Sequence, residues 1–274
     1  MNMIATATHC ELKKIFWRPK YCIMPIIYAV IALITGIGGA SGLNSIVLSG
    51  LSIRSTGPDI VYGALSMYRM FLIPLAVFML SADVFTHELE SKSIKCVLVR
   101  PVSRFDAYLA KCLAILCYTA IALGAGLAVV ILWHLAAPNL AAAVSQTSGV
   151  LFGAPQGFTP AAFATLAAEA FASYALTLLP LAAFVAFAAF VSVVIRSPAL
   201  VMFLCIVSYL AAAFFGTFYT GAGAALFTTY TGWYRMWLGE RLPLTSIINT
   251  AALLLSTCAA FFGFGYFIFD KKDI

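Results

Sequence analysis

The sequence predicts an all-α integral membrane protein: six transmembrane helices, an interfacial helix before them, an amphipathic cytoplasmic segment between spans two and three, and a broken outer segment before span six. Three observations carry this. Hydrophobic residues make up 63% of the 274-residue chain and charged residues only 9%, whereas a soluble surface needs about a quarter charged residues. Apolar runs recur at lengths near the roughly 20 residues needed to cross a bilayer as a helix. Lysine and arginine gather in alternate connecting segments, as the positive-inside bias requires.

Residues 6–20, TATHCELKKIFWRPK, open the chain as a short amphipathic helix. Leu12, Ile15 and Phe16 form its apolar side. Glu11, Lys13, Lys14 and Arg18 are expected on the polar remainder, with Trp17 at the interface. Such a helix lies in the headgroup plane. Pro19 marks the corner into the membrane, since the residue before a proline avoids the helical region. The spans are expected at about 21–39, 66–85, 108–133, 168–193, 199–217 and 245–268. Residues 43–64 and 134–164 read as loops, and Ile195–Pro198 as a tight hairpin. The aromatic, glycine-rich stretch 218–244 suits interfacial or re-entrant short helices, which are tolerated where protein or water covers them. No second domain is expected, so residues 1–274 form one transmembrane unit.

Twelve of the sixteen lysines and arginines fall in one set of connecting segments and the tails, against Arg54, Arg69, Arg235 and Arg241 in the other. Both termini and residues 83–111 are therefore expected in the cytoplasm of a multi-pass protein of the plasma membrane. The net charge of +6 is explained by that orientation. Nucleic-acid binding is not expected, because no basic stripe is present.

Catalytic patterns are missing. GxSxG, HExxH and GxxxxGK[ST] do not occur, and the three histidines lie in separate loops or span ends. The seven cysteines show no zinc-type spacing and no outer pairing suited to disulfides. Neither a catalytic residue, a cofactor site nor a metal site is expected in this chain. The spans also carry almost no charge, whereas a secondary transporter commonly couples ions through charges near the bilayer midplane. Glu169 is the one carboxylate suited to a substrate route, although a helix-start carboxylate favoured by the helix dipole is the commoner explanation. Tyr219, Tyr230, Trp233, Tyr234 and Trp237 form an outer aromatic cluster. It fits either an exit gate or an interfacial belt, the belt being the commoner use.

The most polar stretch, residues 83–111, joins spans two and three directly. Glu88 and Glu90 head it, Ile94, Val97, Leu98 and Val99 give it an apolar stripe, and Arg100-Pro101 breaks it. A soluble partner pushing there moves two helices together. An ordinary positive-inside loop with an interfacial helix has the same composition.

The run Glu88-x-Glu90, Lys92-Ser93, Val97-Leu98, Arg100-Pro101-Val102-Ser103-Arg104 and Lys111 resembles the motif of type-2 permeases of ATP-binding-cassette (ABC) exporters. That family reads E-x-E-x-G-T, an apolar pair, P-V-S-R, and a lysine entering the next span; Lys92 stands where the glycine is usual. The layout of helices is similar over nearly the whole chain. The resemblance implies a cytoplasmic coupling helix whose contacts to an ATPase come from Glu88, Glu90, Lys92, Arg100, Pro101, Ser103 and Arg104. It implies a separate ATPase subunit that binds ATP and magnesium, a second permease copy, identical or not, and outward transport of a drug, peptide-antibiotic or lipid-like substrate. A stand-alone secondary transporter or channel and a membrane-embedded enzyme or assembly factor are the competing classes. They differ from the first in needing no ATPase.

Overall fold

A computed structural model describes residues 3–40, 65, 68, 72–86, 103–136, 160–195, 197–218, 226–237 and 244–271. Every regular element among them is helical. α1 spans Met3–Phe16 and α2 Pro19–Ala40. α3 spans Ile73–Ser81 and runs on as a π-helix, Ala82–Thr86. α4 spans Arg104–Ala136, α5 Pro160–Leu176, α6 Leu178–Val194 and α7 Pro198–Phe218. A 3-10 helix, Phe227–Trp237, precedes α8, Leu244–Lys271.

Among the described residues, four helical stretches are long and apolar enough to cross a membrane: 104–132, 170–194, 198–215 and 244–271. The bent pair α1–α2 makes a fifth if counted as one span. The expected second span is represented by a shorter apolar helix, Ile73–Thr86. The chain is thus a multi-pass helical membrane protein.

The boundaries follow from local chemistry. α1 stops at Phe16, and Pro19 starts α2, where its missing N–H costs nothing because the first N–H groups of a helix have no partner. The two axes meet at 84°. The expected fourth span, 168–193, is present as the stretch 170–194; one turn residue inside it, Thr177, separates α5 from α6, because Pro180 offers no hydrogen to the Leu176 carbonyl four residues back. Residues 160–164, read from sequence as loop, are the first turn of α5. The third span lengthens to the 33 residues of α4, about 50 Å at 1.5 Å per residue, so it reaches well beyond a hydrocarbon core of about 30 Å. Hydroxyls inside the apolar helices bond back to their own turns, as Thr119 to the Ile115 carbonyl at 2.8 Å and Ser192 to that of Ala188 at 2.7 Å. Lipid can offer them no partner.

Side-chain contacts fix the helix directions. Tyr68 meets Tyr174, and Phe78 meets Phe184, so α3 runs parallel to α5–α6. The Cys258 thiol faces the Ala182 carbonyl, and Phe187 meets Phe261, so α6 and α8 are parallel. Phe85 against Tyr108 and Tyr68 against Gly126 set α3 and α4 antiparallel. The starts of α2, α4 and α7 and the ends of α3, α6 and α8 therefore share one end of the bundle, and α1 lies across it. This is called the elbow end below.

Of the four long stretches, the one that contains α6 is the most enclosed. Ala183, Ala186, Ala188 and Ala189 are buried, and such small side chains let neighbouring backbones approach. α7 buries Val201 and Cys205 but turns Phe203, Leu204, Val207, Leu210, Phe214 and Phe215 outward, an apolar surface suited to lipid.

Gly265 in α8 marks the tightest approach. A methyl there would strike the Tyr108 hydroxyl and lie 3.3 Å from the Phe190 Cα, a backbone atom that cannot step aside. Nothing lies within 4 Å of the same position at Gly263. Gly265→Ala is expected to cost about 1–3 kcal/mol through overpacking and Gly263→Ala nothing measurable, as thermal unfolding in detergent will report.

Candidate functional site: the elbow end

α1 carries Ile4, Thr8, Glu11, Leu12 and Ile15 along its inner face, the 3–4 residue spacing of a single helical stripe. Glu11 is thus not on the polar face, as its charge suggests, but in the middle of the buried one, and 9% exposed. Lys14, on the outer edge, donates to Glu11 Oε1 at 2.8 Å. The other carboxylate oxygen, Oε2, lies 3.8 Å from Lys111 Nζ.

Lys111 is not the end of a loop. It sits two turns inside α4 and is 1% exposed. Its ammonium donates to the Val84 carbonyl at 3.4 Å and lies 5.9 Å from the centre of the Phe85 ring. A π-helix shifts the local backbone register, and such insertions recur at functional positions. Here the π-helix provides the carbonyl that Lys111 uses. It also carries Asp83, whose Oδ2 accepts from Lys20, from the Tyr21 hydroxyl and, at 3.4 Å, from Arg18 Nη1. Two adjacent residues of the π-helix thus bind both sides of the elbow: Val84 reaches α1 through Lys111, and Asp83 holds the start of α2.

α4 is anchored at the same end. The Ser103 hydroxyl accepts the Asp106 N–H at 3.0 Å, and the Ser103 carbonyl accepts that of Ala107, which makes Ser103 the N-cap of α4. Arg104 donates to the Asp270 carbonyl near the end of α8. Phe105 meets Tyr266 edge-on at 5.3 Å, and Tyr108 packs on Phe269 at 5.6 Å.

Of the residues expected from sequence, Lys13 and Trp17 face outward, Trp17 at 79% exposure, which suits a helix lying in an interface. Lys14 and Arg18 are engaged with Glu11 and Asp83. Ser103 and Arg104 hold the start of α4, while Glu88, Glu90, Lys92, Arg100 and Pro101 lie outside the described residues. Glu169 lies nine residues into α5, so it is not a helix-start carboxylate. Among the outer aromatics Trp233 is 6% exposed and Tyr230 packs against the core. This burial does not suit a lipid-facing belt. Trp237 belongs to the same 3-10 helix, and Tyr219 falls outside the described residues.

Sequence reasoning missed the central pair, Glu11 and Lys111. The signal was spacing. Glu11 stands four residues before Ile15, and Lys111 shares a stripe with Tyr108, Ala114, Ile115 and Tyr118, all buried.

An apolar helical bundle with a first helix bent at 84° to the second and seated on buried charges defines a multi-pass membrane protein whose first helix is part of the packed structure. The family model described as ABC-2 family transporter protein matches residues 4–274. The chain belongs to this family of ABC transporter membrane proteins. No curated protein matches it.

The Glu11 contacts separate two kinds of ion pair. Lys14 is half exposed, and pairs of that kind contribute within about 1 kcal/mol. Removing the partner of a buried charge costs about 3–5 kcal/mol. Glu11→Ala, which takes a carboxylate from Lys111, is therefore expected to lower the thermal midpoint far more than Lys14→Ala. Glu11→Gln combined with Lys111→Met should recover most of the loss, since no unpaired charge is left inside.

Proposed function

We propose that this chain is the membrane-spanning permease subunit of an ABC exporter, itself non-catalytic, working with a separate ATPase subunit that binds ATP and magnesium. The observation that carries the proposal is the anchoring of both ends of segment 87–102. The π-helix before it is tied to α1 and α2 through Val84–Lys111–Glu11 and through Asp83. Ser103 and Arg104 after it are tied to α4 and α8. A displacement of the segment is transmitted to the first, second, third and last spans together, which is what coupling to a soluble motor demands.

In this reading six spans cross the plasma membrane, and the elbow end faces the cytoplasm with both termini. Residues 88–102 form the coupling helix and its break, ahead of the Ser103 cap of α4, with Glu88, Glu90, Lys92, Arg100 and Pro101 meeting the ATPase. A second permease copy completes the transporter. ATP-driven closure of the ATPase pair rocks the elbow end, and a drug, peptide-antibiotic or lipid-like substrate leaves on the other side. Trp233, buried, and Tyr230, half-buried, stand on the 3-10 helix that packs on α6 and α8 through Phe227 and suit an exit gate, and Glu169 and Trp237 complete the candidate route.

Purification from the native membrane in mild detergent tests the partner: a stoichiometric ATPase should accompany the chain, and its absence from a transport-competent preparation would refute the proposal. Reversing the charges of Glu88 and Glu90 is expected to leave insertion intact while ATP hydrolysis proceeds without transport. Orientation is checked separately in whole cells. A membrane-impermeant thiol reagent should reach cysteines placed at Ser148 and Thr220 but not at Ser91.

A further inference from the structure

Pro25 lies inside α2. Its ring nitrogen has no hydrogen, so the carbonyl of Tyr21, four residues back, loses its helix donor. Within a membrane such a group must be satisfied by protein. The donor is the Tyr118 hydroxyl, from the middle of α4. Its ring is set between Phe16, at 5.3 Å, and Tyr21, met edge-on at 6.1 Å. Tyr21 is consequently held twice, by its carbonyl to α4 and by its own hydroxyl to Asp83. Two turns further on, beyond Pro25, the Tyr28 carbonyl accepts the Tyr68 hydroxyl at 2.5 Å. α2 is thus fastened below the proline to the elbow and above it to Tyr68, with Pro25 between the two points.

We infer that Tyr118 is a positioning residue for transport: by holding the carbonyl that Pro25 sets free, it fixes the angle at which the lower part of α2 meets α4, and Pro25 is the pivot on which α2 bends when the elbow moves. The inference rests on the permease reading for its moving part. The capping part stands without it.

Four proteins test it: the unaltered chain, Tyr118→Phe, Pro25→Ala, and both together. Phenylalanine keeps the ring contacts and removes the hydroxyl; alanine at 25 returns an N–H to the Tyr21 carbonyl. Thermal unfolding of the chain in lipid–detergent micelles reads the cap. Tyr118→Phe is expected to lower the midpoint by several degrees in the native background and by none in Pro25→Ala. An equal fall in both backgrounds, or none in the first, would overturn the assignment. The pivot is read in the complex with the ATPase subunit, by pulsed electron resonance between labels at Cys10, exposed on α1, and Ile34→Cys, exposed above Pro25, with the other six cysteines replaced. ATP is expected to change this distance in the native background and not in Pro25→Ala. A change that persists in Pro25→Ala, or one missing from the native complex, would overturn the pivot. Failure of any ATPase to bind would overturn the permease reading while leaving the thermal result to decide the cap.

Discussion

An ammonium ion enclosed by protein needs a carboxylate or carbonyl oxygens close by, because neither lipid nor the aromatic core solvates it. Lys111 imposes this need on the elbow end. Its partners come from two other elements, Glu11 on α1 and the carbonyl of Val84 in the π-helix. The requirement thus joins the first helix, the π-helix that ends α3 and the start of α4. Remove it and little specifies where α1 sits, since Leu12, Ile15 and Phe16 gain almost as much from any apolar groove. Hydrophobic contact is non-directional; the ion pair supplies the address.

The same logic explains the π-helix. An unbroken α-helix through residues 82–86 would present carbonyls and side chains in a different register. The extra residue per turn lets Asp83 face the Arg18–Lys20–Tyr21 corner while the Val84 carbonyl faces Lys111. Neighbouring residues in one short segment thereby serve two sides of an 84° bend. The cost of an irregular helix is offset by satisfied charge.

Hydropathy and proline placement made much of the fold readable in advance. The positions of α2, α4, α6, α7 and α8 follow from apolar length, and the corner at Pro19 from its missing N–H. What stayed hidden was orientation around each helix axis. In lipid the outer and inner faces are equally apolar, so periodicity carries little information. Glu11 misled because charge was equated with exposure, although its spacing from Ile15 placed it inward. Lys111 misled because a lysine ended a polar stretch and was taken to end the loop as well. The turn at Thr177 inside the fourth span was signalled by Pro180 but obscured by hydropathy, which continues undiminished across Thr177.

Rings pack at both ends of the bundle, and the elbow end adds a set of directional polar contacts. These are ion pairs at Glu11 and Asp83, a capping hydroxyl at Ser103, and a tyrosine hydroxyl on the carbonyl freed by Pro25. Away from it the helices meet through rings, with Phe78, Phe184, Phe187, Tyr209, Phe227 and Phe261 in edge-on or tilted contact at 5.1–6.4 Å. Ring pairs tolerate a range of angles and offsets with small changes in energy, whereas a hydrogen bond weakens steeply as its angle departs from linear. A rigid-body shift of the elbow can therefore be absorbed by sliding in the aromatic layer while the polar contacts keep their geometry. The 3-10 helix belongs to that layer through Phe227, which touches Phe184, Phe187 and Phe261. Its non-helical turns at Tyr230 and Gly232 leave it fewer internal bonds to break than an α-helix would have. In the permease reading proposed above, the chain is stiff where force enters and compliant where a path must open, an arrangement set by where its few charges and many rings fall in the sequence.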